Sequence, residues 1–518
     1  MRALLAPYDK TGLIDLAKGL VDLGWELIAT GNTERAIREA GMPVTSVAEV
    51  TGFPELLDGR IKTLHPLIHG GLLGRRDLPA HVDQMKEHGI VGIDLVANNL
   101  YPFEATITKS GVTFEDAIEN IDIGGPAMLR AAAKNFADVL VLCDPADYAS
   151  TLEGLRNGGV DHDRRRQLAA KAYQHVALYD TLVARYLRDG DDGAFSMPAE
   201  LSLALRKRED LNLRYGENPH QAGALYLEAG RREPGVAGFN QLHGIPMSFN
   251  NVLDADAAWR TVIDFDGPTI AIVKHLNPCG LASDAALLTA YERALAGDPI
   301  SAFGGIIACN RPVDLTLAKA MRDSKSPSSG QRMRYDIILA PAYAPDALAE
   351  LQKWRDTRIL EIPPGAASFD LRRIGGGYLL QEPDLKPDEA LELKVASKRV
   401  PTEEELDDLK FAWRACKHIK SNAIVLVKDR AIVGMGAGQP NRVTSVRIAV
   451  ERAGERSRGS VLASDAFFPF FDGIAAAAAA GVTAAIEPGG SVRDPEVIAI
   501  ADAASMALVF TGERHFRH

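Results

Sequence analysis

Cysteine is scarce. The 518 residues hold four, Cys143, Cys279, Cys309 and Cys416, widely separated and without a CxxC pair. That spacing argues against a disulfide framework and a thiolate zinc site, and it fits a reducing cytoplasm. Long apolar runs are missing too. The longest weakly polar stretch, Gly473 to Ile486, is Ala-rich and too short to cross a bilayer, so it reads as a buried helix followed by a strand. The apolar start meets Pro7 and Asp9 within a few residues, so no targeting segment is expected. Positive charge is in deficit, 58 Lys and Arg against 69 Asp and Glu for a net charge of −11. This disfavours a general nucleic-acid binder and leaves local basic pockets for small anions. His65 and His69 have i, i+4 spacing, but Pro66 lies between them and no Glu follows as in HExxH. Gly434-Met435-Gly436-Ala437-Gly438 is expected to follow a strand, but it is not GxGxxG, and Pro440 interrupts the next stretch of chain, which speaks against a dinucleotide fingerprint.

The chain does have an ordinary globular composition, 46% hydrophobic and 25% charged, with length for two to four domains. Residues 2–6, Trp25 to Ala29, Asp94 to Asn98 and Asp138 to Cys143 read as strands. Helices are expected at 11–23, after Thr33, at about 125–135 and from 162 to 188. This alternation predicts a parallel sheet with helices on both faces. Gly190-Asp191-Asp192-Gly193 and Pro198 read as a linker, giving domains 1–195 and 202–518. The second part carries strands at 269–273, 304–308, 336–340, 423–427, 460–463 and 506–510, again α/β.

The stretch Ala271 to Gly280 draws attention first. An apolar strand ends in Lys274-His275, and Asn277-Pro278 is expected to turn the chain. Imidazole can carry protons near neutral pH and an ammonium can hold developing negative charge, although the pair can equally be a solvated strand end. Thr30-Gly31-Asn32-Thr33 joins a strand to a helix start, which suits a phosphate or a plain N-cap. Gly59 to Pro66 adds Arg60, Lys62 and Thr63 in one loop; Tyr101 follows a strand, and Asp122 opens the helix that runs to Lys134. Arg214-Tyr215 begins a polar loop, Phe303-Gly304-Gly305 leads into a strand, and Ser464 to Asp472 is an aromatic loop able to stack a flat ring.

Eleven stretches in order, DKTG, GRIKTLHP, NLYPF, IDIGG with AAAKN, LRYGENPHQ, KHLNPCG, SAFGGIIA, KSNAIV, GAGQPNRV, SDAFFPF and GERHFRH, make the chain similar, over essentially its whole length, to the bifunctional purine-biosynthesis (PurH) family. That family joins 5-aminoimidazole-4-carboxamide ribonucleotide (AICAR) formyltransferase to inosine monophosphate (IMP) cyclohydrolase. The resemblance implies an α/β architecture: an N-terminal methylglyoxal-synthase-like parallel-sheet domain with the cyclohydrolase, then two cytidine-deaminase-like α/β subdomains with the transferase. It implies 10-formyltetrahydrofolate as co-substrate, a homodimer with the transferase site at the subunit interface, and a cytoplasmic enzyme acting on small molecules, with no membrane or nucleic-acid partner. No zinc is expected, because Pro278-Cys279 is followed by Gly280, Leu281 and Ala282 and lacks the second Cys of PCxxC.

Carried onto this sequence, the resemblance makes His275, Lys274 and Asn422 catalytic in formyl transfer, with Arg214, Tyr215, Phe467 and Arg514 on the nucleotide and Phe303, Arg442, Pro469 and Asp472 on the folate. Lys62, Tyr101, Asp122 and Lys134 become catalytic in ring closure, with Lys10, Thr11, Thr30, Gly31, Asn32, Thr33, Arg60 and Thr63 binding. The sequence departs from the family where the phosphate is gripped. Ala6-Pro7-Tyr8 replaces Ser-Val-Ser, and Asn32 replaces a glycine.

Overall fold

The computed structural model describes residues 1–54, 56–57, 60–189, 197–231, 233–365, 369–387 and 390–518. Gly59 of the basic loop and the linker residues Gly190 to Gly193 lie outside them. The chain forms two compact units, Met1–Arg206 with Glu228–Arg232, and Lys207–Leu227 with Glu233–His518.

The apolar runs of the first unit become β1 (Arg2–Leu5), β2 (Glu26–Ala29), β3 (Thr45–Ser46), β4 (Leu95–Ala97) and β5 (Leu140–Leu142). All pair in parallel in the order β3-β2-β1-β4-β5. Leu4, Ile28, Val96 and Leu142 are fully buried, as expected of strands covered on both faces. The strand order reverses between β1 and β4. Loops leaving the carboxyl ends of those strands therefore diverge, and the crevice between them is where open α/β sheets bind ligands.

The second unit holds a twelve-stranded mixed sheet. Its strands are β6 (Asn240–His243), β7 (Thr269–Lys274), β8 (Asn277–Ser283), β9 (Ile306–Cys309), β10 (Ile337–Ala340), β11 (Arg358–Glu361), β12 (Lys394–Val395), β13 (Ile424–Lys428), β14 (Ala431–Gly436), β15 (Val461–Ser464), β16 (Ala484–Glu487) and β17 (Ala507–Phe510). The order is β12-β17-β16-β15-β13-β14-β8-β7-β9-β10-β11-β6. It is an internal duplication. A helix (Phe249–Ile263) precedes the hairpin β7–β8; β9 then pairs antiparallel with β7, and β10 and β11 follow in parallel. In the second half a helix (Glu403–Cys416) precedes the hairpin β13–β14; β15 pairs antiparallel with β13, and β16 and β17 follow in parallel. The halves join through antiparallel β8 and β14.

Two expectations are corrected. The turn after β7 is not made by Asn277-Pro278. It is a two-residue hairpin turn at His275 (φ 51°) and Leu276 (φ 65°), and Asn277 already pairs with Lys274 in β8. Two-residue hairpins require positive φ to match the strand twist, and holding non-glycine residues there costs on the order of 1–3 kcal/mol each. The equivalent turn in the second half is Asp429 (φ 52°) and Arg430 (φ 55°). Gly434 and Gly436 are strand residues of β14 and not a loop after it. A Cβ on either would meet the backbone of the helix Arg442–Ala453, so they are small to let that helix close onto the strand.

Candidate active sites

In the first unit the crevice beyond β1 and β4 gathers most of the expected groups. Asp9 and Asn99 lock the two loops together: Asn99 Oδ1 accepts from the Asp9 N–H at 2.8 Å and its Nδ2 donates to the Asp9 carbonyl at 3.1 Å. The Tyr8 and Tyr101 rings meet edge to face at 5.7 Å. Lys10 Nζ donates to Thr33 Oγ1 at 2.7 Å, linking the loop after β1 to the helix Gly31–Glu39. Thr30 precedes that helix without a side-chain cap. A Cβ on Gly31 would lie 3.7 Å from Lys62 Nζ, and one on Gly124 would lie 2.8 Å from Thr63 Oγ1. The basic loop, the uncapped helix start and the start of the helix Gly124–Lys134 therefore face one space. Burial, and then the Lys62 charge, lower the Lys10 pKa. Burial raises the Asp122 pKa against hydrogen bonds from Gly125 and Tyr101 and the Lys62 charge.

Three other expected residues have partners inside the protein. Thr11 Oγ1 donates to Asp9 at 2.7 Å, Asn32 Oδ1 accepts from Arg35 at 3.1 Å, and Arg60 pairs with Glu119. Lys134 stands exposed in the last turn of its helix. Asn98 was missed. It is 2% exposed, its Nδ2 has no partner among the described residues, and a Cβ on Gly125 would collide with both it and Asp122. A polar residue ending an apolar strand was the available signal.

In the second unit the expected transferase residues, apart from Phe303, divide between two cavities that share no lining residue. The first, of about 760 Å³, is lined by Arg214, Tyr215, Lys274 and His275 together with Asp254, Arg334, Asp336 and Arg358, none of which the sequence had singled out. Lys274 Nζ donates to the Phe303 carbonyl at 2.7 Å, and the Arg214 guanidinium lies 5.1 Å from the Tyr215 ring centre. Arg358, only 3% exposed, donates to the Pro246 carbonyl through Nε and Nη2 at 3.1 and 3.0 Å. The cavity is thus rich in cations that the fold holds in place.

The second cavity, of about 690 Å³, is lined by Asn422, Arg442, Phe467, Pro469, Asp472 and Arg514. A buried network orients Asn422. Its Oδ1 accepts from Arg442 Nη2 at 2.7 Å and its Nδ2 donates to the Gln439 carbonyl at 2.8 Å. Arg442 also donates to Ser464 Oγ at 2.8 Å and to Asp465, which further accepts from Ser421. Asp465 is fully buried and Arg442 is 6% exposed, so this network holds the guanidinium in place at the cavity wall. Removing one partner of such a buried pair costs about 3–5 kcal/mol. Phe467, 41% exposed, offers a ring to the cavity, while Phe468 anchors the loop at 1% exposure. Asn277 bridges the two regions: its Nδ2 donates to the His275 carbonyl at 2.9 Å and its Oδ1 accepts from the Lys420 N–H at 3.2 Å.

Among the described residues no group of three or more His, Cys, Asp or Glu side chains is placed to hold a metal ion, and no helix is long and apolar enough to cross a membrane. His65 instead caps the helix Pro66–Leu73, its Nδ1 accepting from the Leu67 N–H at 3.2 Å.

Fold and sites together define an α/β enzyme with acid–base and anion-binding groups in two units. Comparison with known proteins makes this specific. The MGS-like domain matches residues 12–127 and the AICARFT/IMPCHase bienzyme family matches 132–452. The chain is 53% identical to the bifunctional purine biosynthesis protein PurH of Chloroflexus aurantiacus, covering all of this chain and 99% of the relative. It is 52% identical to that of Xanthomonas campestris pv. campestris, covering all of this chain and 98% of the relative. A solved structure titled ForH is 42% identical over 36% of this chain and 98% of its own, with a TM-score of 0.32. The chain belongs to the AICARFT/IMPCHase (PurH) family of bifunctional purine-biosynthesis enzymes. It is an enzyme of IMP formation with the AICAR formyltransferase and IMP cyclohydrolase activities that the family name denotes, and a formyl-folate is its co-substrate.

Proposed function

We propose that residues 1–195 close the purine ring and residues 202–518 transfer the formyl group from 10-formyltetrahydrofolate to AICAR, in the cytoplasm and without a metal ion. In transfer, the exocyclic amine of AICAR attacks the formyl carbon. The amine sheds a proton to His275, and the oxygen of the tetrahedral centre takes its charge to Lys274 and to an Asn422 N–H. Collapse then expels N10 of the folate, which takes the proton back from His275 and leaves as the amine of tetrahydrofolate. Arg214, Tyr215 and Arg514 hold the nucleotide and Phe467 stacks on its ring. Arg442, Pro469 and Asp472 face the folate, together with Phe303, whose carbonyl holds Lys274, and Arg442 also holds Asn422.

The supporting observation is that His275 and Asn422 lie in two cavities of one unit without a shared lining residue. A second copy of the chain completes the site in this reading, by setting the second cavity of one protomer against the first of its partner. Sedimentation equilibrium at micromolar concentration would then show a species of twice 55.8 kDa, and a monomer alone would overturn the dimer.

In ring closure, the carboxamide nitrogen of formyl-AICAR attacks the formyl carbon in the same molecule, so holding the two groups together supplies much of the rate. The uncapped N–H groups at Gly31 and Asn32, with Lys10, Thr33 and Thr63, receive the phosphate. Lys62 stabilises the oxyanion, and Asp122 and Tyr101 move the protons as water leaves. Lys134 joins them in moving protons. A coupled assay with AICAR and 10-formyltetrahydrofolate, scoring formyl-AICAR and IMP separately, tests the whole reading, which fails if neither forms.

A further inference from the structure

The hairpin turn that carries His275 is held from one side. The carboxylate of Asp254, on the helix Phe249–Ile263, accepts the Leu276 N–H through Oδ1 at 2.8 Å. The duplication supplies an internal comparison. In the second half, Asp408 on the helix Glu403–Cys416 accepts from both turn N–H groups, Asp429 at 2.7 Å and Arg430 at 2.5 Å, one on each oxygen. Both oxygens of Asp408 are used by the turn. Asp254 uses only Oδ1, and among the described residues Oδ2 has no hydrogen bond. Asp254 also lines the same cavity as His275, whose ring is exposed and makes no hydrogen bond among the described residues. The two side chains are close enough for a His275 charge to oppose the rise that burial imposes on the Asp254 carboxyl.

We propose that Asp254 is the positioning residue of His275: Oδ1 pins the left-handed turn, and the unused Oδ2 accepts the N–H of one imidazole nitrogen when the ring turns toward it in the reacting complex. This fixes the ring and its tautomer, and leaves the other nitrogen as the proton acceptor for the attacking amine. The inference rests on His275 being the transferase base. A carboxylate behind an imidazole serves this purpose wherever one ring nitrogen must stay free. At the turn Asp429-Arg430 there is no imidazole to orient, and the equivalent carboxylate is spent wholly on backbone.

The test uses the full-length enzyme and Asp254→Asn. The amide oxygen still accepts from Leu276 and preserves the turn, while the amide nitrogen cannot accept from imidazole. Formyl-transfer kcat is expected to fall about 10²-fold, the cost of misplacing a reacting group by about an ångström, with KM for AICAR changed less than about threefold. Asp254→Glu should recover part of the loss. Against His275→Ala, a further Asp254→Asn should cost nothing more, because a residue that acts through another is silent once that partner is gone. Losses that multiply, or an unchanged kcat in Asp254→Asn, overturn the inference while leaving His275 as base. Near-normal turnover in His275→Ala overturns the reading beneath it. Asp408→Asn is the structural control, expected to lower stability and to leave the kcat of the folded enzyme within twofold.

Discussion

Glu487 ends β16 beside the second cavity, fully buried. Its Oε2 accepts the Phe468 N–H at 2.7 Å, and Oε1 has no partner among the described residues. Burial is the main cause that pushes its pKa up to about 8; the Phe468 hydrogen bond opposes it, Asp494 adds to it and Arg442 opposes it. The folded state therefore holds this proton more tightly than the unfolded chain, where the ordinary value is 4.5. The resulting stability is fully present below pH 4.5 and is lost as pH rises through 8. Between pH 6 and 8 an unfolded carboxyl gains the full slope of 1.36 kcal/mol per unit, and the folded one begins to ionise only near the upper end. The loss over that interval is about 2 kcal/mol. Glu487→Gln keeps the shape and an acceptor for Phe468 and removes the ionisation. Urea unfolding of both proteins at pH 6 and 8 should show the wild type losing about 2 kcal/mol relative to the variant. Parallel pH dependences would mean that the carboxyl ionises freely in the fold, and the argument from burial would fail.

His275→Ala is expected to lower formyl-transfer kcat roughly 10²–10⁴-fold, the range for one acid–base group, while leaving closure of pre-formed formyl-AICAR unchanged; steady-state kinetics of both half-reactions decide it. Lys62→Ala should do the reverse, slowing ring closure about 10²–10³-fold and sparing transfer; equal loss of both activities in a folded protein would refute the division of labour. Residues 1–195 expressed alone should melt cooperatively and retain ring closure, and a broad transition would show that essential packing lies beyond them.

Sequence made visible what is coded by neighbours. The strands around Leu4, Ile28, Val96 and Leu142 are short apolar runs between helices, and the structure keeps them. Lys274-His275, Thr30-Gly31 and Asp122 stood out because chemistry-bearing side chains end such runs. What was hidden depends on partners far along the chain. Asn277-Pro278 looked like a turn, since proline bars a helix. The turn falls instead on His275 and Leu276, and nothing in those residue types signals positive φ. Asp254 looks like any polar helix residue until the hairpin packs against it, and nothing in Arg442 signals that Asp465, 23 positions on, lies beneath it.

The duplication explains why the transferase groups are scattered. Pairing of β7 with β9 and of β13 with β15 makes Asn310 equivalent to Asp465: each follows its strand, and their N–H groups bond the carbonyls of Thr269, the first residue of β7, and Ala423, the residue just before β13. In the first half Asn310 seals the strand end. Its Oδ1 accepts from the Thr269 N–H at 2.8 Å, and its Nδ2 reaches the carbonyls of Val262, Phe265 and Gly267. In the second half a carboxylate at that position recruits Arg442 and Ser421 and so aims Asn422, which stands where the first half has Pro268. The hairpin turns divide the other way. His275-Leu276 borders a cavity, whereas in Asp429-Arg430 both N–H groups are tied to Asp408. Each half has thus kept one end of the repeat structural and opened the other to chemistry. In the mechanism proposed above, the first half would offer the proton acceptor and the second the oriented amide, and a second copy of the chain would bring the two cavities together.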